Sequence, residues 1–186
     1  MRADAQKNYG HLLAVARDAI TEQGTDASLR DIARRAGVGL ATLYRHFPTR
    51  ESLLEALLRT TLDELTQMAA DLEASASPDE ALLSWLREAV AFVQGYNGVV
   101  SIMAAALADD ASALHASCSN LRSAGGRLLQ RAQSKGLARG DLDGVDLFAL
   151  IGALGWLGNQ AAFASRADHL QGILADAILI KAVQED

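Results

Sequence analysis

The sequence predicts an all-α protein of about nine helices, and three observations support that fold class. First, Ala and Leu dominate a chain of 186 residues that is 50% hydrophobic but only 5% aromatic, so residues that favour strands are scarce. Second, apolar residues recur at intervals of three and four along almost the whole chain, as they do in amphipathic helices. Third, Ser, Thr, Pro and Gly stand where such helices would begin and end.

The amino-terminal third is expected to form three helices. The first ends at Gly24, because glycine readily adopts the conformation that stops a helix. Ser28 can cap the second helix with Asp31 as its capping-box partner, and that helix stops at Gly37. Pro48 ends the third helix, since the residue before a proline avoids helical geometry. The three helices are predicted at about 5–23, 28–37 and 40–47.

Six more helices are expected in the rest of the chain. Thr49 can cap a long helix, and Ser77 followed by Pro78 is a strong start for the next one. Ser165 with Asp168 marks the start of the last helix. The six helices are predicted at about 50–74, 78–95, 99–108, 113–135, 145–164 and 167–183.

Composition excludes several classes of protein. The single cysteine, Cys118, excludes an intramolecular disulfide framework and fits a reducing cytosol. No apolar run approaches the roughly 18 residues that a membrane span needs, and the opening residues lack the apolar stretch of a signal peptide. We therefore expect a soluble cytoplasmic protein with no membrane partner.

Charge is unevenly distributed along the chain. Residues 1–60 contain nine Lys or Arg and seven Asp or Glu, a net charge of +2, in a chain whose formal net charge is −6. The remaining residues therefore carry −8. A basic segment joined to an acidic body indicates that the basic segment meets an anionic partner.

Residues 28–47 have the pattern of a helix-turn-helix. Ile32 and Ala33 can form the inner face of the first of these two helices. Gly37 supplies the positive φ that a tight turn needs. Leu43 and Phe47, four residues apart, anchor the second helix to the same small core. In helix-turn-helix proteins that bind DNA, the second helix reads the major groove.

The outer face of the second helix carries candidate DNA-binding residues. Its polar side chains can donate to phosphates or base edges, and its small apolar ones can meet a thymine methyl. Arginines on both flanks add positive charge where phosphates would lie. The alternative is a helical hairpin whose polar face is merely solvated, although Tyr and His are costly choices for such a face. The candidates are Arg30, Leu40, Ala41, Thr42, Tyr44, Arg45, His46 and Arg50.

The segment DIARRAGVGLATLYRHFPTRESLLEALL resembles the DNA-binding domain of TetR-family transcriptional regulators. The resemblance implies that Thr42, Tyr44 and His46 hold phosphates and orient the reading helix. It also implies that Ala41 and Arg45 face base edges.

The resemblance covers about residues 8–60, and three positions depart from the family pattern. Arg50 stands where a lysine is usual, so the charge is kept. Gly39 replaces a serine that usually caps the reading helix, at a cost of only a few tenths of a kcal/mol. Leu40 replaces a polar residue. These changes bear on the target sequence rather than on binding itself.

The chain is expected to contain two domains and to form a homodimer. Residues 1–50 form the helix-turn-helix DNA-binding domain. Residues 51–186 form a ligand-binding and dimerisation domain, linked through the helix that starts at Arg50. Because a palindromic operator presents half-sites about 34–36 Å apart, the body must hold two reading helices at that spacing.

The last two helices are the candidate dimer interface. One carries glycines at helical spacing, which close helix–helix approach would compensate, and the other has a continuous apolar face. The alternative is that both are core helices of a monomer. The candidates are Gly152, Gly155, Leu170, Ile173, Leu174, Ala177 and Ile178.

The body is also expected to bind a small-molecule effector, because the resemblance implies a ligand cavity there. Few charges fall in these segments, so we expect an apolar or weakly polar effector. The aromatic residues could equally be plain core, and Cys118 could be a redox sensor or an apolar filler. Polar groups nearby in sequence are Asn97, Asn120, Asn159 and Gln160. The candidate ligand-binding residues are Trp85, Phe92, Tyr96, Met103, Leu107, His115, Phe148 and Trp156.

The leading functional hypothesis is a ligand-responsive repressor whose dimer binds operator DNA and is released by the effector. Activation in place of repression stays open. A helical enzyme is the hypothesis from another class, but the four His residues show no metal-ligand spacing and we find no catalytic constellation or cofactor motif. A third hypothesis is an adaptor that uses its opening helices for protein contacts.

Overall fold

The computed structural model describes residues 2–23, 27–96 and 98–180, with side chains of the first helix described from Asn8 onward. Within these ranges it contains nine α-helices and no β-strand, which confirms the predicted fold class. A short 3₁₀ helix precedes the last α-helix. The helices are α1 (Arg2–Gln23), α2 (Leu29–Arg35), α3 (Leu40–His46), α4 (Arg50–Leu72), α5 (Pro78–Gly95), α6 (Val99–Ala108), α7 (His115–Ser134), α8 (Gly144–Gly158) and α9 (Ala167–Ile178).

The chain divides into two compact units, Met1–Thr61 and Leu62–Asp186, and their boundary falls inside α4. In the amino-terminal unit, α2 packs against both α1 and α3. Ile32 of α2 and Leu43 of α3 are fully buried, as the sequence predicts for the inner face. Gly37, between these helices, has a φ of +65°, a conformation that residues with a side chain adopt only at a cost. The predicted tight turn is therefore confirmed.

Side-chain caps fix where α2 and α4 begin. The Ser28 hydroxyl accepts a hydrogen bond from the backbone N–H of Asp31 at 3.4 Å. At the start of α4, the N–H of Ser52 donates to Oγ1 of Thr49 at 3.0 Å, and the N–H of Thr49 donates to Oγ of Ser52 at 3.1 Å. The predicted caps Ser28 and Thr49 are both confirmed, because each satisfies an otherwise unbonded N–H of the first helical turn.

In the carboxy-terminal unit, α5 packs against α7 and α8, which also pack against each other. Trp85 of α5 is fully buried, and its indole N–H donates to the carbonyl oxygen of Leu65 in α4 at 2.9 Å. Ser117 of α7 donates from its hydroxyl to Oδ1 of Asp63 in α4 at 2.9 Å. These two side-chain hydrogen bonds hold the carboxy-terminal half of α4 to α5 and α7.

α8 approaches α5 most tightly at Gly155. A Cβ at this position would lie 2.2 Å from Cγ1 of Val93, so a larger residue does not fit at the crossing. One turn earlier, a Cβ at Gly152 would lie 3.6 Å from Cγ1 of Val100, which is an ordinary van der Waals contact. Packing within the chain therefore requires glycine at position 155 and leaves room for a Cβ at position 152.

The end of α8 corrects two predictions. The predicted extension to Ala164 is wrong, because α8 ends at Gly158 and Asn159 caps it with a backbone hydrogen bond to the preceding turn. Glycine is a weak helix former, and the following residue, Asn159, donates from its side chain to the carbonyl oxygen of Val93 on α5, which favours a stop at this point. Ser165 lies inside the 3₁₀ helix, so it does not cap α9. Arg166 occupies that cap position and makes no capping side-chain hydrogen bond.

Other helix limits differ by smaller amounts. Ser77 occupies the cap position of α5, but its side chain makes no capping hydrogen bond, and Pro78 takes the first helical position as expected. α9 ends at Ile178. The predicted end of the last helix at Val183 is wrong, because Leu179 has extended backbone angles and pairs with Ala138 in an antiparallel bridge. The predicted stop at Gly24 lies outside the described residues.

The end of α9 is anchored through its backbone. An isolated antiparallel bridge pairs Ala138 with Leu179. The N–H of Arg139 donates to the carbonyl oxygen of Ile178 at 3.0 Å, and the N–H of Ile180 donates to the carbonyl oxygen of Leu137 at 3.0 Å. The connector between α7 and α8 therefore holds the end of α9.

No single helix in the described part of the chain is long and apolar enough to cross a membrane. Within the described residues, α5 and α6 are long and apolar enough only when they are taken together as a sharply bent pair.

Candidate nucleic-acid interface and effector cavity

The predicted reading helix, α3, has one buried and one exposed face. Leu43 is fully buried, and Phe47 at the helix end is also buried. Ala41, Tyr44 and Arg45 are exposed, and Tyr44 leaves 46% of its surface accessible although it is aromatic. A helix with this division of faces can enter a groove while staying attached to its own domain.

The other DNA-binding candidates surround this exposed face. Thr42 and His46 are half-buried. Arg30, Leu40 and Arg50 line a shallow concavity together with Tyr44. This concavity combines two cationic side chains with an aromatic hydroxyl, which is a suitable chemistry for phosphate oxygens.

Arg50 has a structural contact as well as a predicted role at DNA. Its Nη1 donates to the carbonyl oxygen of Ala27 at 2.8 Å. Ala27 directly precedes the cap of α2, so this hydrogen bond joins the start of α4 to the start of α2. The sequence suggested only the charge of Arg50 and not this hydrogen bond.

His46 is held by aromatic packing. The ring of Tyr9 lies edge-on to it with centroids 6.0 Å apart, and the same tyrosine packs against Phe47 at 5.2 Å. Sequence reasoning missed Tyr9 as a support of α3. The signal was present, because Tyr9 stands three and four residues before the apolar positions Leu12 and Leu13.

Ion pairs offset part of the positive charge of α2. Arg34 donates to the Asp31 carboxylate, and Arg35 donates from Nε to the same carboxylate at 2.7 Å. Arg35 also donates from Nη1 to Glu22 of α1 at 2.7 Å, which joins α1 to α2. The hydrogen bond from Arg34 is the main reason that the pKa of Asp31 lies below its usual value. Arg34 and Arg35 therefore attract an anionic partner less strongly than two unpaired arginines would.

The carboxy-terminal unit contains a cavity of about 240 Å³, formed by α5, α6, α7 and α8. Four of the predicted ligand-binding residues line it. Ala104 and Ala149 line it as well and are exposed, so the cavity opens to solvent between α6 and α8. The four predicted residues are Phe92, Met103, Leu107 and Phe148.

The structure places the other four predicted ligand-binding residues away from the lining. Trp85 fills the core. Tyr96 is buried behind Phe92, with ring centroids 5.5 Å apart. His115 places Nδ1 at 3.0 Å from the carbonyl oxygen of Ala106 and so joins α7 to the end of α6. Trp156 is 55% exposed, because it lies on the face of α8 opposite the core.

The polar residues near these segments also bond elsewhere. Asn159 donates from Nδ2 to the carbonyl oxygen of Val93 at 3.3 Å, and Gln160 donates to the carbonyl oxygen of Trp156 at 3.2 Å. Asn120 is exposed, and Asn97 lies outside the described residues. These amides therefore satisfy helix ends or face solvent.

Cys118 is fully buried, and burial raises the pKa of its thiol. A higher pKa lowers the fraction of reactive thiolate, which favours the interpretation of Cys118 as an apolar filler over a sensor.

Sequence reasoning missed the small and aliphatic residues of the lining. Val100 lines the cavity with Met103 and Leu107 at helical spacing on α6. Gly152 of α8, which the sequence assigned to the dimer interface, is also part of the lining. The helical period relates Val100 to Met103 and Leu107 on α6, but it does not distinguish Gly152 on α8, which is apolar on nearly every face.

α8, α9 and the segment between them leave large apolar side chains exposed. Phe163 and Ile173 have 43% and 52% of their surfaces accessible, in addition to Trp156. Among the predicted interface residues, Ala177 is exposed, Leu170 and Leu174 are half-buried, and Ile178 and Gly155 are buried within their own chain. An apolar surface of this kind is typical of a protein–protein contact.

Two family models match the sequence. The model described as bacterial regulatory proteins, tetR family, matches residues 12–57. The model described as the carboxy-terminal domain of SbtR-like transcriptional regulators matches residues 77–178, which is more than half of the chain. The chain belongs to the TetR family.

Solved TetR-family structures resemble this chain along most of its length. The TetR transcriptional regulator SCO0520 from Streptomyces coelicolor is 32% identical, with a TM-score of 0.73, and the match covers 93% of this chain and 99% of that one. A TetR transcription regulatory protein from Mycobacterium vanbaalenii is 30% identical, with a TM-score of 0.68, and the match covers 96% and 99%.

Curated relatives match over a shorter stretch. The HTH-type transcriptional regulator SAR0097 from Staphylococcus aureus strain MRSA252 is 39% identical over 67 residues, which are 34% of this chain and 35% of that regulator. The match spans about a third of the length of the curated relatives.

Family membership confirms the resemblance seen in the residues around α2 and α3. The amino-terminal TetR model covers α2, α3 and the start of α4, where the DNA-binding candidates lie. The carboxy-terminal model covers α5 to α9, which include most of the cavity wall and the exposed apolar surface. Among the described residues, no group of three or more His, Cys, Asp or Glu is placed to hold a metal ion.

Proposed function

We propose that the chain is a cytoplasmic transcriptional repressor that binds a palindromic operator as a homodimer and is released by a small, largely apolar effector. The observation that carries the proposal is the exposed face of α3, where Ala41, Tyr44 and Arg45 stand over a core that includes Leu43 and Phe47. In helix-turn-helix proteins a helix of this kind enters the major groove. Membership of the TetR family supports the same use.

The exposed residues of α3 would divide into two roles. Arg45 can donate two hydrogen bonds to a guanine edge, and Ala41 can contact a thymine methyl. Thr42, Tyr44 and His46 can donate to phosphate oxygens and so fix the orientation of the helix. Base contacts would give sequence preference, and phosphate contacts would give most of the affinity.

The exposed apolar side chains of α8 and α9 support the homodimer. Trp156 and Ile173 together offer large aromatic and aliphatic surfaces, and such residues dominate the binding energy of protein interfaces. A second copy would bury them through the same surface, because two-fold symmetry makes one patch self-complementary. The resulting dimer would hold two α3 helices on one face of DNA.

The cavity supports an effector that acts through α4. An effector releases DNA only if it binds one conformation of the protein more tightly than another. α4 begins at Arg50 in the amino-terminal unit and continues into the carboxy-terminal unit, where Trp85 and Ser117 bond to it. A shift of α5 or α7 around the effector would therefore act on α4.

Selection of bound sequences from a random DNA pool tests this function. We expect a palindrome whose half-sites lie one DNA turn, about 34 Å, apart. Fluorescence anisotropy with that sequence then compares the wild-type chain with Arg45→Ala. Loss of a bidentate base contact costs about 1–3 kcal/mol, and the variant homodimer loses one such contact in each half-site, so affinity should fall at least about thirtyfold.

Arg87→Ala is the matched control, because it removes an exposed arginine from α5 in the other unit. Affinity should stay unchanged in this variant. Equal affinity of the wild type and Arg45→Ala, with Tyr44→Ala also unchanged, would contradict the assignment of α3 as the reading helix. A reporter gene under the selected operator would then show whether bound protein lowers transcription.

An adaptor without DNA binding is the remaining alternative. The two functions differ in their response to salt, because phosphate contacts release counterions and give a steep fall of affinity with salt concentration. An adaptor would show no such slope with random duplex DNA.

A further inference from the structure

We propose that the cavity binds an uncharged, hydrocarbon-like molecule of roughly ten non-hydrogen atoms, and that Gly152 sets the size of this ligand. The proposal rests on the proposed function, since it names the chemical class of the effector. It assigns Gly152 to ligand selection, where the sequence had suggested dimer contact.

The chemistry of the lining selects against polar ligands. Every described residue that lines the cavity has an apolar side chain or is glycine. These residues lie within α5, α6, α7 and α8, where most backbone groups bond along their own helices, and the carbonyl oxygen of Val93 accepts from Asn159. A buried hydroxyl or amide without a partner costs about 1–3 kcal/mol, and an unpaired carboxylate costs far more. The cavity therefore favours a molecule without charge or hydrogen-bonding groups.

The volume limits the size of the ligand. An apolar cavity of about 150 Å³ lined by Leu, Ile and Phe holds one benzene molecule, which has six carbon atoms. The cavity here measures about 240 Å³. By the ratio of these volumes it accommodates roughly ten heavy atoms, the size of a fused bicyclic hydrocarbon. Met103 in the wall can adapt to the exact shape, because its side chain is unbranched and flexible.

Gly152 controls this volume without a role in helix crossing. A Cβ there meets only Val100, at 3.6 Å, so a methyl group fits at a position that lines the cavity. At Gly155, one turn later, the same addition collides with Val93. Glycine at position 152 therefore adds to the volume of the cavity, and the packing of α8 against its neighbours does not require a glycine there.

The first experiment tests the ligand class on the unmodified full-length chain. Naphthalene, naphthoate and pyrene are titrated separately, and binding is followed by isothermal titration calorimetry. We expect naphthalene to bind at least about tenfold more tightly than naphthoate, because the carboxylate would either enter the apolar lining without a partner or keep the ring at the solvent opening, away from that lining. Pyrene, which is larger than the cavity, should not bind. Equal or tighter binding of naphthoate, or no binding of naphthalene, would overturn the proposal.

The second experiment tests Gly152. Gly152→Leu fills the cavity and should weaken naphthalene binding at least about tenfold, since the ligand and the side chain compete for one space. Ala105→Leu is the matched control, because residue 105 is exposed on α6 outside the lining. Helix content from circular dichroism checks that both variants fold. A folded Gly152→Leu variant with unchanged naphthalene affinity would refute the role of Gly152.

Gly152→Ala keeps the test decisive if the leucine variant does not fold. It adds one methyl group and should lower the affinity for naphthalene more than the affinity for benzene. An equal effect on both ligands would count against size selection by this residue.

Failure of the proposed function can be distinguished from failure of the proposed ligand class. Naphthalene binding that leaves operator affinity unchanged would support the ligand class and reject release by the effector. Operator binding with no uptake of naphthalene would support the regulator and reject the ligand class.

Discussion

The two units of this chain expose opposite kinds of surface. The amino-terminal unit presents Tyr44 and Arg45 on a short helix, whereas the carboxy-terminal unit presents Trp156 and Ile173 on α8 and α9. The first surface suits a polyanion, and the second suits another apolar surface. The net charges of +2 for residues 1–60 and −8 for the rest follow the same division. The difference shows why net charge over a whole chain is a poor guide to the partner of one unit.

The largest expected effect comes from placing a charge on the apolar surface. Trp156→Asp combined with Ile173→Asp should raise the dissociation constant of the proposed dimer at least about thirtyfold, because loss of even one interface anchor costs about 2 kcal/mol or more. Sedimentation equilibrium measures this constant. Operator affinity should fall with it, since one reading helix cannot span two half-sites.

Ala91→Asp is the control for this prediction, because residue 91 is exposed on α5 and its charge should leave the dimer intact. A double variant that remains as dimeric as the wild type would show that the apolar surface has another purpose. The contrast between the two units would then need a different explanation.

The next effect concerns the two glycines of α8. Gly155→Ala introduces a Cβ at 2.2 Å from Val93, and overpacking of this kind costs about 1–3 kcal/mol. Gly152→Ala should instead stabilise the unit by about 0.5–1 kcal/mol, because alanine is the better helix former and the space is open. Urea denaturation followed by circular dichroism measures both. Equal shifts of the two midpoints would show that the packing of α8 on α5 is less tight than described.

The amino-terminal unit was easier to predict than the body, for a physical reason. In α2 and α3 each position is constrained by local geometry: Gly37 must turn the chain, and Leu43 must reach a small core. Such constraints fix the type of residue at each position, so the sequence alone predicts the structure of this segment. The cavity depends on which faces of four helices meet, and no local signal separates lining residues such as Phe92 from core residues such as Trp85.

The same limit explains the errors at α8. Its composition is apolar almost all round, so helical spacing alone did not show that Trp156 faces outward while Gly152 lines the cavity. α8 stops at Gly158, which is followed by the cap residue Asn159. The surrounding run of apolar residues favours a helix, so the sequence did not indicate a stop at this position.

A smaller effect concerns pH and the ion pairs of α2. The hydrogen bond from Arg34, with that from Arg35, holds the pKa of Asp31 below 3.8. A depressed carboxyl pKa stabilises the folded state above the unfolded pKa, and this contribution disappears as pH falls through the folded pKa. Asp31→Asn should therefore lower the Tm at pH 7, and its difference from the wild type should narrow below about pH 4.

Thermal denaturation from pH 7 to pH 3 measures this difference. Glu55→Gln, which removes one partner of an exposed pair with Arg59 on α4, is the control and should change the Tm less. A difference for Asp31→Asn that is constant with pH would mean that ionisation of this carboxyl does not stabilise the unit.

The smallest effect separates stability from recognition on the reading helix itself. Gly39 caps α3 with extended backbone angles and makes no side-chain hydrogen bond, and a Cβ there would meet only Oγ1 of Thr42, at 3.9 Å. Gly39→Ser can therefore place a hydroxyl against the free N–H groups of the first turn and should stabilise the unit by a few tenths of a kcal/mol.

Gly37→Ser is the matched control: it must adopt a φ of +65° and should destabilise the unit by about 1 kcal/mol. Differential scanning calorimetry distinguishes the two signs. If Gly39→Ser gains stability while its affinity for the selected operator falls, the glycine serves recognition, because a cap that is better for the helix is then worse for its approach to DNA. A loss of stability in Gly39→Ser would contradict the open space at this cap.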